Sequence, residues 1–452
     1  MMESRKDIFK ALIREFHASP PPRVVRRDLR LPDSCLEAIK DARSSPMPAL
    51  AVMIMGPRRA GKTRFLFQVL KGLSSRAESP LPRTQAIYIN FEDDRLLPLE
   101  ASDLASLIDA YFELYPDNRD REVAVFLDEV HQVEGWDLFV RRLLERRNLR
   151  IFITGSSSRL CSESLLRADP GRVLSFQLLP LSFREYLTFK GVEPGPDPVL
   201  SGDKYAIRFL LDEYLVFGGF PEVVESELSS KLRILRDYFD ILIYKDLVER
   251  FAIRNVALLK KLVKHLSDRV GSAVSFNAFF QGLRSGTKIS RETVMEYVSY
   301  LEQKDIISLV PLFSDSEKAR QVNPRRVFCL DNGLRNAVSF HLAEDGERLA
   351  KNLVFQKLKR AGDEIFYWKE RGEVDFVVCG DHRLRGINVS YGRELDASAS
   401  KPLLEFRRSA GRRTTELEII TKDTEKVEAG INFVPLWKWL LTEPESSPSH
   451  SR

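Results

Sequence analysis

From Ala49 the chain alternates short apolar runs with longer amphipathic stretches. Ala49–Met55, Ala86–Phe91 (AIYINF), Val123–Leu127 (VAVFL) and Ile151–Thr154 (IFIT) are almost wholly apolar and too short for helices. That is the pattern of strands covered on both faces of a parallel sheet, and residues 48–182 predict an α/β core. After Pro180 the apolar runs give way to helical periodicity in Phe183–Phe189, Tyr205–Phe217 and Lys231–Phe251, with Gly218-Gly219-Phe220-Pro221 as the turn between the last two. Residues 183–255 therefore predict a helical unit. Over 256–335 the periods predict three helices (Val256–His265, Phe276–Arg284, Ser290–Lys304) and a strand pair, Asp305–Leu309 with Arg326–Leu330. Over 336–442 a long helix from about Gly346 precedes IFYW, VDFVV, INVSY and LEIITK, a second, smaller α/β unit. Ahead of the core, residues 1–47 read as a helical and basic extension. It has one helix, the stiff Pro20-Pro21-Pro22, the basic run Arg23 to Arg30, and a short helix capped by Asp33. The Ser- and Pro-rich stretch 443–452 reads as a flexible tail.

Composition narrows the classes. At about 150 residues per domain, 452 residues suggest about three domains. With 70 Lys+Arg against 65 Asp+Glu, the net charge of +5 makes no global field for nucleic acid or membrane, so a basic surface has to be local. A 43% hydrophobic and 30% charged composition excludes disorder for the bulk of the chain. The cysteines Cys35, Cys161, Cys329 and Cys379 form no CxxC pair, which argues against a disulfide framework or a zinc site. The N-terminus lacks the apolar segment of a signal peptide, and no apolar stretch approaches the about 20 residues that span a bilayer. The expectation is a cytoplasmic protein without a membrane partner.

Residues 56–63, Gly56-Pro57-Arg58-Arg59-Ala60-Gly61-Lys62-Thr63, form a complete G-x4-G-K-[ST] between an apolar strand and the amphipathic stretch RFLFQVLKGL. Gly56 and Gly61 let the backbone curl so that its N–H groups face phosphates. Lys62 adds a point charge, Thr63 offers its hydroxyl to Mg²⁺, and the helix N-terminus that follows favours anions. Sixty-six residues beyond Lys62, the run VAVFL ends in Asp128 and Glu129. Asp128 is suited to the Mg²⁺ shell and Glu129 to polarising an attacking water. The next strand ends Thr154-Gly155-Ser156-Ser157-Ser158, hydroxyls suited to sensing a terminal phosphate, against the plainer reading of a Ser-rich turn. Asn90-Phe91-Glu92-Asp93-Asp94 also follows a strand and reads as a second layer or solvated rim. Arg172 and Arg184 are candidates for an arginine acting on a neighbouring subunit's site, against surface ion pairs.

GPRRAGKT, YINFEDDRL, VFLDEVHQVEGWDLFVRRLL, ITGSSSRL, GRVLSFQLLPLSFREYL and FGGFPEVV occur in that order, followed by YLEQKDIISLV, VFCLDNGL, NLVFQKL and YWKERGEVDFVV. From about residue 20 to 440 the chain resembles the prokaryotic AAA-type ATP-binding proteins. In that family the ATPase core precedes a winged-helix segment and a C-terminal domain of unknown function with a restriction-endonuclease-like fold. The resemblance implies an α/β, P-loop AAA-type parallel sheet core with a helical lid, a winged helix over 256–335 and the endonuclease-like unit over 336–442. It implies ATP bound by Gly56, Pro57, Arg58, Arg59, Ala60, Gly61, Lys62, Thr63 and Arg64, with Mg²⁺ held by Thr63 and Asp128 and catalysis by Glu129, Lys62 and Asp128. The function expected is Mg²⁺-dependent ATP hydrolysis coupled to a macromolecular partner. The alternative is a nucleotide-switched DNA-binding regulator or defence-type factor with slow hydrolysis, and a third reading is an ATP-powered nuclease. A second copy of the chain, DNA or another protein are the partners these readings allow.

Within 256–335, Arg284, Lys288, Arg291, Lys304, Lys318 and Arg320 are suited to phosphate contacts, but RETVMEYVSYLEQ carries Glu292, Glu296 and Glu302, poor chemistry for a major groove. Nucleases of the endonuclease-like fold use a helix Glu, a strand Asp and a Glu- or Gln-x-Lys on the next strand. Here the strand Asp is Asp375, whereas the helix position is Lys351 and the next strand carries Asn388 and Ser390. The expectation is a fold that does not cut.

Overall fold

The computed structural model describes residues 4–37, 50–156, 165, 171–193, 195, 204–283, 289–339, 345–380, 383–392, 398–411 and 414–442. They belong to two compact units, 1–178 and 179–452.

In the first unit, β1 (Ala51–Gly56), β2 (Ala86–Asn90), β3 (Val123–Asp128), β4 (Leu149–Ser156) and β5 (Val173–Gln177) form one sheet in the order β2-β3-β4-β1-β5, every pair parallel. The helices are α1 (Arg5–Ala18), α2 (Asp33–Leu36), α3 (Lys62–Ser74), α4 (Ala105–Leu114) and α5 (Trp136–Leu144). Alternate residues divide each strand between two cores, because successive side chains point to opposite faces. Ala51, Met53, Val123, Val125, Leu127, Ile151 and Ile153 join the core with α4 and α5. Val52, Ile54, Ala124, Phe126 and Phe152 join the core with Phe65, Leu66 and Val69 of α3. Three of these strands turn polar at their C-terminal ends, at Asn90, Asp128 and Thr154, so one edge of a two-sided apolar sheet collects the polar groups. The helix of the segment read as an extension packs into this unit. Phe9 and Ile13 are fully buried with α4, and Phe16 lies in the α3-side core, a helical i, i+4, i+7 stripe. Residues 38–47 of that segment lie outside the described residues.

The second unit begins with α6 (Phe183–Phe189), α7 (Lys204–Phe217), α8 (Pro221–Glu225) and α9 (Leu228–Ile241). Ser182 and Glu185 start α6 as a reciprocal capping box. The helix expected over Lys231–Phe251 begins at Leu228 and changes to π-helical bonding over Leu242–Glu249; apolar periodicity does not separate those two bonding patterns. Next come α10 (Val256–Ser267), α11 (Phe276–Leu283) and α12 (Arg291–Gln303) with a three-stranded antiparallel sheet. Its strands are β6 (Ala273–Val274), β7 (Ile307–Val310) and β8 (Arg325–Cys329), in the order β6-β8-β7. The two-residue β6, and α13 (Glu317–Val322), are too short to leave a period in the sequence.

After α14 (Asn332–Val338) and α15 (Gly346–Ala361) comes a mixed sheet of β9 (Glu364–Lys369), β10 (Glu373–Cys379), β11 (Leu384–Ser390), β12 (Thr414–Thr421), β13 (Lys426–Glu428) and β14 (Ile431–Pro435). The order is β13-β14-β12-β11-β10-β9: β9, β10 and β11 pair antiparallel, β11, β12 and β14 parallel, and β13 is an antiparallel edge. Helices α16 (Ser400–Ala410) and α17 (Leu436–Leu441) complete it. The tail 443–452 lies outside the described residues.

A buried polar junction ties the parts of this unit together. Asp331 caps α14 by accepting from Leu334 N at 3.1 Å and also accepts from Gly219 N at 2.8 Å. Burial pushes its carboxyl up to about 6 against these N–H bonds. Behind it, Arg335 donates to Ser267 O at 3.0 Å and pairs with Asp345, and Asn352 of α15 both accepts from and donates to the Cys329 backbone. Close approach explains the glycines of FGGF and LDNG. A Cβ on Gly218 would lie 2.1 Å from Asp331 Oδ1, and one on Gly333 2.1 Å from Phe217 O.

Gly218 also has φ +70°, so Gly218→Ala adds both strain and a clash. It should destabilise the second unit by about 3 kcal/mol in denaturant unfolding. Gly282→Ala, whose Cβ meets nothing within 4 Å, should be neutral or mildly stabilising in the same assay.

Candidate functional site

The strand order sets the polar ends side by side. Met55 pairs with Gly155 and Gly56 with Ser156, while Asn90 pairs with Asp128. The loop from Gly56 to Gly61 leaves β1 and enters α3 at Lys62. Gly56 is required by contact, since a Cβ there would sit 2.1 Å from Leu178 O. Arg59 (φ 65°) and Gly61 (φ 96°) supply the left-handed turns that curl the loop.

Lys62, 4% exposed, turns back over this loop. Its ammonium donates to Gly56 O and Pro57 O, each at 3.1 Å, and pairs with Glu129 Oε1 at 3.0 Å. Glu129 reaches it because its backbone is left-handed (φ 55°), a conformation that costs a non-glycine residue energy and clusters at functional sites. Its other oxygen is 3.3 Å from His131 Nδ1.

Asp128, 1% exposed, ends β3 among hydroxyls rather than cations. Thr63 donates to Oδ2 at 2.7 Å, Tyr88 to Oδ2 at 2.9 Å and Thr154 to Oδ1 at 2.5 Å. Burial drives the Asp128 carboxyl above its usual range, and the three hydroxyl bonds offset part of that. Thr154 works on both neighbours, since its Oγ1 also accepts from Glu129 N at 2.8 Å. The Tyr88 phenol is itself pushed upward by burial and by the adjacent carboxylates.

The structure therefore brings Gly56, Gly61, Lys62, Thr63, Asp128 and Glu129 into one site, with Pro57 and Ala60 in its loop. Arg58 reaches Glu92 at 2.7 Å, which links the loop to the segment after β2. Arg64 donates to Arg23 O at 2.9 Å, on the side of α3 where the N-terminal segment runs. Ser157 and Ser158 lie outside the described residues. Arg172 bonds Leu144 O and Arg184 bonds Leu441 O, each within its own unit. Three neighbours of the site were not singled out from the sequence: Tyr88, His131 and Arg27, the last of which donates to Ala60 O at 2.7 Å. The tyrosine sits at an ordinary strand position, and the arginine is one of several in a basic run.

The C-terminal unit holds a second constellation. Asp375 of β10 is 2.9 Å from Lys351 Nζ and 2.7 Å from a guanidinium nitrogen of Arg326 through Oδ1, and its Oδ2 accepts from Val389 N at 2.9 Å. Asn388 accepts from Asp375 N at 2.9 Å. Burial raises the carboxyl, and the charges of Lys351 and Arg326 outweigh it, holding Asp375 below its usual range. In the segment 256–335, Arg284 and Lys288 lie outside the described residues, and Lys304 is buried.

Residues 49–187 match the model of the AAA domain, so this part of the chain is an AAA-type P-loop domain. Residues 208–345 and 347–439 match two domains of unknown function. The chain belongs to the same family as an uncharacterized protein of Methanocaldococcus jannaschii, to which it is 32% identical over 89% of this chain and 91% of that one. An uncharacterized protein of Haemophilus influenzae is 28% identical over 86% and 94% of the two chains. Among solved structures the chain is similar to the Walker-type ATPase of Pyrococcus abyssi (13% identity, 70% of this chain and 98% of that one, TM-score 0.42). It is also similar to the Aeropyrum pernix Orc1 protein in complex with DNA (16%, 72% and 95%, TM-score 0.34). Among the described residues no helix is long and apolar enough to cross a membrane.

Thr154→Val keeps the shape of the side chain and removes its donor to Asp128 and its acceptor for Glu129 N. It should cost about 1–3 kcal/mol in denaturant unfolding. Ser175→Ala, on the exposed face of β5, should stay within about 0.5 kcal/mol.

Proposed function

We propose that the first unit binds Mg·ATP and hydrolyses it, and that the nucleotide state governs contact with a macromolecular partner. The observation that carries this reading is the convergence of Lys62, Thr63, Asp128 and Glu129 at the mouth of the curled loop. Thr63 Oγ1 and Asp128 Oδ2, 2.7 Å apart, are hard oxygen donors of the kind Mg²⁺ selects, and they would hold it. When bound, Mg²⁺ supplies positive charge to the phosphate oxygens. The loop N–H groups of residues 57 to 63 and the start of α3 orient the phosphates. A phosphate arriving at Lys62 competes with Glu129 for the ammonium. Glu129 is then released from its 3.0 Å pairing and can accept a proton from water. Thr154, bonded to both carboxylate residues, positions them relative to one another.

The domain organisation we propose is an extension at 1–47, the P-loop core at 48–182, a helical lid at 183–255, a winged helix at 256–335, an endonuclease-like unit at 336–442 and a tail at 443–452. The helix–strand–helix–helix–strand–strand order of α10, β6, α11, α12, β7 and β8 supports the winged-helix reading, which makes DNA a partner to test. The acidic α12 argues against major-groove readout. A mixed sheet with α15 and α16 supports the endonuclease-like reading. Its Asp375, already neutralised by Lys351 and Arg326, supports a unit that docks and does not cleave.

Lys62→Ala should weaken ATP binding, measured by calorimetry. Glu129→Gln should retain binding and lose phosphate release by about 10²-fold or more; equal turnover in wild type and Glu129→Gln would remove Glu129 from the mechanism. Plasmid, linear and single-stranded DNA should stay intact with the protein and Mg²⁺ or Mn²⁺, with or without ATP. Cleavage abolished by Asp375→Ala would overturn the docking reading.

A further inference from the structure

The basic segment before the core lies along the phosphate loop. Two α3 side chains one turn apart hold its backbone. Arg64 donates to Arg23 O at 2.9 Å, and Gln68 pairs with both sides of Arg27, accepting from its N–H at 2.8 Å and donating to its carbonyl at 3.2 Å. On the far side of the segment, Leu31 and Cys35 are buried in the same core as Phe65, Leu66 and Val69 of α3. With its backbone held this way, Arg27 buries its side chain (4% exposed) and donates to Ala60 O at 2.7 Å.

That bond acts on the peptide between Ala60 and Gly61. In a planar trans peptide the carbonyl and the following N–H point in opposite directions. A guanidinium that fixes Ala60 O on the side of the N-terminal segment thus turns Gly61 N–H away from that segment and holds the peptide in one orientation. Gly61, with φ 96°, has the least backbone restraint of its own, so this peptide is the one most in need of an external hold. The guanidinium also adds a fixed positive charge beside the loop.

We infer that Arg27, held in place by Gln68, is a positioning residue of the nucleotide site that pre-sets the phosphate loop through the Ala60 carbonyl. This rests on the ATP-binding reading above. Its consequence is that the segment ahead of the core is a working part of the site, so a core begun at residue 48 should bind nucleotide poorly.

The test uses the full chain and two readouts: the thermal unfolding midpoint with and without Mg·ATP, and the split of KM and kcat. Arg27→Ala and Gln68→Ala should each lower the nucleotide-free midpoint by a few degrees, the cost of the hydrogen bonds removed. Both should show a smaller ATP-induced upward shift, with KM raised about tenfold for Arg27→Ala, less for Gln68→Ala, and kcat little changed. Arg27→Lys, which can still reach one carbonyl, should recover part of the shift. A wild-type ATP-induced shift and KM in Arg27→Ala would overturn the inference. If Arg27→Ala does not fold, a wild-type shift in Gln68→Ala does the same. Absence of any ATP-induced shift in the wild-type protein is the separate failure of the ATP-binding reading, and the inference falls with it.

Discussion

A carboxylate at the end of the interior strand β3 is buried among hydroxyl donors, and the architecture of the first unit is built around keeping it satisfied. An unpaired buried charge costs several kcal/mol. Asp128 avoids most of that cost by accepting from three hydroxyls supplied by three different elements, Thr63 from α3, Tyr88 from β2 and Thr154 from β4. Only a sheet with β2 and β4 flanking β3, and with α3 starting at the same edge, can deliver all three. These three bonds come from hydroxyl dipoles, which share the carboxylate's charge without neutralising it. Burial displaces the carboxyl upward, and the hydroxyl bonds offset part of that displacement.

Asp375 shows the opposite solution with the same residue type. It is as deeply buried, but two cations on different elements, Lys351 and Arg326, neutralise it, and its carboxyl is held below the usual range. One buried aspartate is therefore held by neutral donors, and the other by cations. The difference lies wholly in the partners, not in depth of burial. Lys62 and Glu129 occupy an intermediate position. They neutralise one another at 3.0 Å, one cation to one carboxylate.

The second unit uses buried polar bonds as joints. Asp331, Arg335 and Asn352 connect the glycine turn after α7, the end of α10, β8 and α15 by bonding mainly to backbone atoms, which demands defined geometry in a way apolar contact does not. The glycines at 218 and 333 are the local cost of that closeness. Such a junction gives the helical, small-sheet and mixed-sheet parts fixed relations inside one unit.

The sequence by itself determined four of the five strands of the first unit, the glycine-spaced loop and the acidic pair, because each is a local pattern: a short apolar run, a glycine-spaced turn, carboxylates at a strand end. The remaining strand, β5, half exposed along its length, carries no such run and is not legible in the sequence. The sequence also determined that Lys351, Asn388 and Ser390, none of them acidic, are the residue types that accompany Asp375, since that is a matter of which residues stand at which positions. Tertiary structure alone decided the strand order, and with it that Tyr88 and Thr154 meet Asp128. It alone decided that α1 belongs to the core of the first unit and that Arg27 rather than its neighbours in the basic run reaches the loop. It alone turned Glu129 back onto Lys62. These outcomes join residues tens of positions apart, and no periodicity or spacing records which distant groups a closed core brings within 3 Å.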